Sequence, residues 1–285
     1  MDIKRKLGIY LRSIRAMRTM HWIFMVLLGF IIRPDEPSVY DFLIPAIAVI
    51  FMWQYTTMIN DIYDLDIDRK AHPDRPLVRG EISVSEYGVM ANISLGIGLG
   101  ISFLAGPYTL FMNMLFYVLA VLYSKPPFRI RNRWWGTAVM GSASAIEVAA
   151  GYLSHIWFTD LNILYAPEIL WIFPVVLVIV FFALSVAPNI TAYEDYEGDM
   201  EAGVSTIYTV LGKERGKKLI STSLFILFLL PLLLLHSPAD TVVSFVLGIL
   251  AVLSFQRFSC SRCVFTLYFL ELLYFMAIFM GISGI

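Results

Sequence analysis

Two short stretches of this chain concentrate side chains able to hold a hard cation. The first reads Asn60-Asp61-Ile62-Tyr63-Asp64-Leu65-Asp66-Ile67-Asp68, and the second Tyr193-Glu194-Asp195-Tyr196-Glu197-Gly198-Asp199. On a helix, Asp61, Asp64 and Asp68 fall at i, i+3 and i+7, and Asn60, Asp64 and Asp68 at i, i+4 and i+8. Asp195 and Asp199 are again four apart. Residues three or four apart are neighbours on a helix surface, so each set projects from one face. Like charges held together in this way repel, more strongly where water is partly excluded, and something cationic must offset them. Oxygen ligands with no nearby His or Cys suit Mg²⁺ or Mn²⁺. Mg²⁺ is typically held by one or two carboxylates plus substrate phosphates, which makes a diphosphate the natural third party. An EF-hand is excluded, because the Gly and the terminal Glu of that loop are missing. Asp66, Glu194 and Glu197 read as solvated helix-end acids.

Cations follow these acids in sequence. Arg69, Lys70, Arg75 and Arg79 come after the first stretch, and Tyr123-Ser124-Lys125-Pro126-Pro127-Phe128-Arg129 lies further along. Arg binds a diphosphate as a bidentate fork and Lys as a point charge, and Arg75, Lys125 and Arg129 are the candidates for that role. Arg131, Arg133 and the group from Lys213 to Lys218 read as topology signals.

The elements that carry these groups are membrane helices. The 285-residue chain is 59% hydrophobic and 15% charged, with a mean hydropathy of +0.74. Soluble domains average about 45–50% apolar and about 25% charged, so a water-soluble enzyme is excluded. Twenty-one Lys and Arg are too few for nucleic-acid binding. A bilayer core needs about 20 mostly apolar residues per helix. Nine segments qualify, near 18–33, 41–60, 84–105, 108–123, 135–155, 168–188, 219–236, 240–257 and 264–283. No small-residue cleavage site follows Ile32, so the first reads as a span rather than a signal peptide. With these spans, 20 of the 21 basic residues fall on one face and only Arg33 on the other. Basic loops stay cytoplasmic. The chain is therefore expected to have its N-terminus and both acidic stretches on the cytoplasmic side of the cell membrane, and its C-terminus outside.

These motifs resemble those of a known family. Asn60-Asp61-x-x-Asp64-x-x-x-Asp68 with Arg75-Pro76-Leu77-x-x-Gly80 is similar to the first signature of the UbiA superfamily of intramembrane prenyltransferases. Asp195-x-x-x-Asp199 with Gly203, Thr206 and Leu211-Gly212 is similar to the second, and Tyr123-Ser124-x-Pro126-Pro127-x-Arg129 to the loop between the fourth and fifth helices. The resemblance covers essentially the whole chain. One departure is Ala192, where many members carry a further acid. The resemblance implies a single all-α domain over residues 1–285: nine transmembrane helices around a central cavity, with a cytoplasmic cap over the Asp motifs. It implies that Asn60, Asp64, Asp68, Asp195 and Asp199 hold two Mg²⁺ ions on an isoprenyl diphosphate, geranylgeranyl or farnesyl, with Asp61 beside them. Arg75, Tyr123, Lys125 and Arg129 would bind or steer the diphosphate. The implied reaction is prenyl transfer through an allylic carbocation to an aromatic or quinone precursor or to a glycerol-phosphate ether lipid. Aromatic faces such as Trp53, Tyr55 or Tyr63 could stabilise that cation, although each aromatic of this kind is more often simple packing or an interface anchor.

Two other readings use the same residues. A membrane terpene cyclase would cleave the diphosphate without an external acceptor. A cation or phosphate carrier would need ionisable groups near the bilayer midplane, where the spans hold only Glu147 and Glu271. Glu147 either touches an acceptor or pairs with a polar group on a neighbouring helix, and the sequence leaves both open. Asn60/Asp64 and Asp195/Asp199 each close a span, a faint echo of two related halves. Cys260 and Cys263 lack a second pair for zinc and read as small apolar residues.

Overall fold

The computed structural model describes residues 3–157, 167–201 and 203–283, and among these there is no strand. The helices are α1 (Ile3–Ser13), α2 (Ala16–Ile31), α3 (Val39–Tyr63), α4 (Leu65–Ala71), α5 (Val84–Leu104), α6 (Pro107–Ser124), α7 (Thr137–Tyr152), α8 (Pro167–Ala192), α9 (Tyr196–Glu201), α10 (Ile207–Leu211), α11 (Lys213–Leu229), α12 (Pro238–Phe258) and α13 (Ser261–Ser283). Each of the nine apolar segments read from the sequence holds a helix. Among the described residues, six helices are long and apolar enough to cross a bilayer. A seventh span is made if α1 and α2, bent by 70° at their junction, cross as one. At 16 residues, α7 falls short of the length a full crossing needs.

The chain divides into two compact units: Met1–Arg129 with Ile146–Leu164, and Ile130–Ala145 with Tyr165–Ile285. In the first unit α3 is the central helix. Ser38 caps it and exchanges bonds with Asp41, a reciprocal box that serves two of the helix's otherwise unpaired amides. Its buried residues Tyr55 and Met58 pack with Ile9 of α1 and with Tyr87 and Ala91 of α5. Leu77 and Ile82, from the loop between α4 and α5, join that cluster. Each such buried side chain contributes about 1.5–3 kcal/mol relative to exposure, so these two anchors pin the loop that carries Arg75. Arg33, which the sequence reading sets apart from the other basic residues, is buried at the α2–α3 connection. It is held by Asp35 and donates to the Ser154 carbonyl at 2.7 Å.

The second unit is built on α8, α11, α12 and the end of α13 nearest α12. Its core includes Ile190, Tyr208, Leu224, Phe228 and Phe255. Lys217 is buried there: its ammonium donates to Ser259 Oγ at 3.0 Å and lies 4.4 Å from the centre of the Tyr193 ring. Cys260 and Cys263 are not separate small residues. One helical turn at the start of α13 brings their Cα atoms to 5.3 Å, and the two sulfurs are joined in a disulfide.

Candidate active site

The first acidic stretch sits where α3 gives way to α4. Asp64 closes one helix and opens the other, with φ −103° and ψ 7°. The hydrogen-bond ladder nevertheless continues across the break: Asp64 N–H donates to Asn60 O and Asp68 N–H to Asp64 O. Asp61 and Asp68 therefore still share a face. A single guanidinium, Arg75, reaches both, at 3.0 Å for Asp61 and closer still for Asp68. Asp64 answers to a different cation. Arg129 donates to Asp64 Oδ1 at 3.1 Å and to the Tyr63 carbonyl at 3.2 Å. Arg129 makes this reach from a φ of +37°, a strained backbone setting of the kind that gathers at functional sites.

All three carboxylates are buried. A buried charge is tolerated only when it is paired and hydrogen-bonded, and Asp61 is the most fully served. It accepts from Arg15 at 2.5 Å, from Arg75 and, at 3.1 Å, from the Tyr87 hydroxyl. Arg15 and Tyr87 were missed by sequence reasoning. Arg15 looked like one more basic residue of the N-terminal segment, and Tyr87 like one more span aromatic; nothing local marks either as a partner of Asp61. Arg12, Arg15, Arg75 and Arg79, with Asp61 and Asp74, border a cleft of about 390 Å³. Arg12 forks onto Glu81 at 2.5 and 3.3 Å, which holds that carboxyl below the usual carboxylate range.

The other first-unit candidates are less engaged. Asn60 is half-buried in the last turn of α3, Tyr123 is half-buried near the end of α6, and Lys125 is exposed just beyond it. In the second unit α8 ends at Ala192, and a turn precedes α9. Asp199 N–H donates to Asp195 O, so the two acids stand one turn apart. Asp195 is exposed and Asp199 half-buried. Burial, with the neighbouring charge of Asp195, holds the Asp199 carboxyl above the usual carboxylate range. Of the two nearby lysines, Lys213 pairs with Glu197 at 3.0 Å, and Lys217 lies between aromatic rings.

The donor set fits Mg²⁺. Among the described residues no three acids, histidines or cysteines converge on one point, so no all-protein cage exists. Mg²⁺ seldom uses one; it takes one or two carboxylates and completes its shell with water and phosphate oxygens. The positive charge that faces Asp61, Asp64 and Asp68 comes from the guanidiniums of Arg15, Arg75 and Arg129.

An all-helical multi-pass membrane protein with paired Asp motifs is the class these features define. The model of the UbiA prenyltransferase family matches residues 22–280, and the chain belongs to that family. It is 29% identical over 200 residues to a chloroplastic 2-acylphloroglucinol 4-prenyltransferase of Humulus lupulus, a match that covers 68% of this chain and 46% of that one. It is 26% identical over 190 residues to a digeranylgeranylglyceryl phosphate synthase of Saccharolobus solfataricus, covering 66% of this chain and 61% of the synthase. The matched part thus spans about half to three-fifths of these relatives. In fold it is similar to a UbiA homologue from Archaeoglobus fulgidus solved with GPP and Mg²⁺, with a TM-score of 0.70, 20% identity, and coverage of 97% of this chain and 100% of the other.

Proposed function

We propose that this protein is a Mg²⁺-dependent prenyltransferase that moves an isoprenyl group from its diphosphate to a lipid-type acceptor. The observation that carries this reading is the buried alternation of acids and guanidiniums at the α3–α4 break: Asp61 and Asp68 on Arg75, and Asp64 on Arg129. A diphosphate with Mg²⁺ presents the same alternation, anionic oxygens for the guanidiniums and a cation for the carboxylates. Asp64 and Asp68, with Asn60, and Asp195 with Asp199 would hold two ions. Bound Mg²⁺ would neutralise charge on the diphosphate leaving group.

The chain's own groups do the rest. Arg75, Arg129, Lys125 and Tyr123 bind and steer the diphosphate, and as its C–O bond breaks heterolytically they face the oxygen that keeps the electron pair. The allylic carbon bonds to the acceptor's nucleophile, which gives up its proton. Water must be kept out, because it would quench the allylic cation; the apolar helices supply that exclusion. Nine spans around a cavity, one domain, a cytoplasmic cap over the Asp motifs, an inside N-terminus and an outside C-terminus belong to the same proposal. Support comes from the family match, the helix at each expected segment and the gathering of basic residues on one face. Geranylgeranyl or farnesyl diphosphate is the proposed donor.

The test is diphosphate release and product formation by the purified protein with Mg²⁺, geranylgeranyl diphosphate and a panel of two acceptors, a 2-acylphloroglucinol and a monoalkylglyceryl phosphate. Asp64→Ala and Asp199→Ala should each lower turnover by at least about 100-fold while helical content is kept. Full turnover in both variants overturns the two-motif site.

A further inference from the structure

Among the described residues, two apolar helices carry a deeply buried glutamate outside the Asp motifs, and the two differ. Glu271 of α13 leaves one of its two oxygens without a partner among the described residues. Glu147 of α7 is wholly buried, and neither of its oxygens has a partner among the described residues. A buried polar atom left without a hydrogen bond costs about 1–3 kcal/mol, and native proteins rarely carry one without a ligand or a role to explain it.

The packing of the first unit shows what lies beside Glu147. The chain around α6 meets the chain around α7 in antiparallel register. His155 N–H donates to Ala105 O at 2.6 Å, and four residues along α6, Thr109 Oγ1 donates to Ala150 O at 3.1 Å. The next turn of α6 carries Asn113, and the matching turn of α7 carries Ile146 and Glu147. Asn113 is wholly buried; one N–H of its amide donates to Thr109 O at 3.3 Å, and its Oδ1 is unpartnered. On the other side, α2 lies against α7 so closely that a Cβ at Gly151 would stand 2.1 Å from Val26 O, and one at Gly29 2.0 Å from Val148 O. Trp22, one turn before Val26, closes this region with its ring 5.0 Å from Phe116 and 5.1 Å from Trp53. The Trp53 indole N–H is itself without an acceptor.

The register thus brings Glu147 and Asn113, each with an unserved oxygen, to one level of the α6–α7 pair. What they lack is a donor, and the neutral donor that an apolar interior admits most readily is a hydroxyl. Along α6 this level lies ten residues, about 15 Å, from Tyr123. Helical side chains tilt toward the N-terminus of their helix, so Tyr123 leans back along α6 and Glu147 leans the same way in space as the C-terminal end of α6, which narrows the gap.

We infer that Glu147, with Asn113, binds a hydroxyl group of the prenyl acceptor and so selects acceptors that carry one. This rests on the prenyl-transfer reading above, and it separates the acceptor from the donor: Glu147 recognises one substrate and leaves the other to the Asp motifs.

The test uses full-length protein in detergent with the same two acceptors. Glu147→Leu should raise the KM of the better acceptor roughly 10- to 100-fold, the size expected for loss of a hydrogen bond to a carboxyl group, with the KM for geranylgeranyl diphosphate unchanged. Asn113→Leu should do the same to a smaller degree. Glu147→Gln, which keeps a hydrogen-bonding amide, should recover most of the loss. Without diphosphate or Mg²⁺, the acceptor should raise the melting temperature of the wild type and not that of Glu147→Leu. Glu271→Gln serves as the paired control and should leave the acceptor KM unmoved. An unchanged acceptor KM in Glu147→Leu, or parallel losses for donor and acceptor with a lowered melting temperature, overturns the inference in favour of a packing role. Wild-type protein that turns over neither acceptor sinks the prenyl-transfer reading instead.

Discussion

The two Asp motifs solve the same electrostatic problem differently. Asp61, Asp64 and Asp68 are buried and already balanced by Arg15, Arg75 and Arg129, with Tyr87 as an added donor. Asp195 and Asp199 stand nearer to water, one turn apart, and Lys213 and Lys217 contact Glu197, Ser259 and aromatic rings. Burial explains the contrast. A carboxylate removed from water needs a partner whether or not a ligand is bound, whereas an exposed one is served by solvent until a ligand arrives. On the proposed reading the first motif is thus both a structural node and a site, and the second is chiefly a site.

The sharpest way to break that contrast is to remove one acid from each side. Asp61→Ala strands Arg15 and leaves Arg75 with Asp68 alone, and loss of one partner of a buried pair typically costs about 3–5 kcal/mol. Its melting temperature should fall by roughly 10 °C. Asp195→Ala should change stability by no more than about 0.5 kcal/mol, although both variants lose activity. Equal thermal losses would mean that the second motif is also a structural node.

A smaller effect is expected at Arg129→Ala, which removes one donor from Asp64 and from the Tyr63 carbonyl. The loss of a charge-assisted bond predicts about 1–3 kcal/mol, visible as a lowered thermal midpoint. In the second unit, Lys217→Met keeps the length of the stem and removes the charge held over Tyr193 and Phe255. It should cost about 1–2 kcal/mol in the same assay. Substrate-free stability that is insensitive to Lys217→Met would show that this ammonium is placed for a ligand rather than for the core.

The smallest effect concerns pH. The raised Asp199 carboxyl means that the folded protein binds a proton more readily than the unfolded chain does. Stability contributed by this group is therefore present in acid and lost as pH rises from the ordinary Asp value of about 3.9 through the raised one. Asp199→Asn should flatten that part of the profile and gain about a degree at neutral pH, read from thermal midpoints between pH 4 and 7. A profile identical to the wild type would show that Asp199 is as well solvated as Asp195.

Much of this molecule was legible locally. The acid spacing, the Arg75-Pro76-Leu77 run and the presence of a helix in each apolar segment could be read because helical periodicity and apolar run length are properties of neighbouring residues. The helix break at Asp64 did not follow from the pattern, since the acids keep helical spacing across it. The partnership of Arg15 with Asp61 spans 46 residues, and nothing in the N-terminal segment distinguishes Arg15 from Arg12 or Arg18. Glu147 and Glu271 looked alike as isolated acids in apolar runs, and only the neighbouring helices separate them.

The sequence alone therefore determined the class of molecule, membrane helices ending in two Asp motifs with cations in reserve, because hydrophobic thickness and one-face spacing are written into consecutive residues. Tertiary structure decided which cation meets which acid, which motif is buried, and which intramembrane glutamate is left without a partner. Those outcomes depend on which helices pack together, and so on contacts between residues far apart in the chain, where burial sets the cost of an unpaired charge.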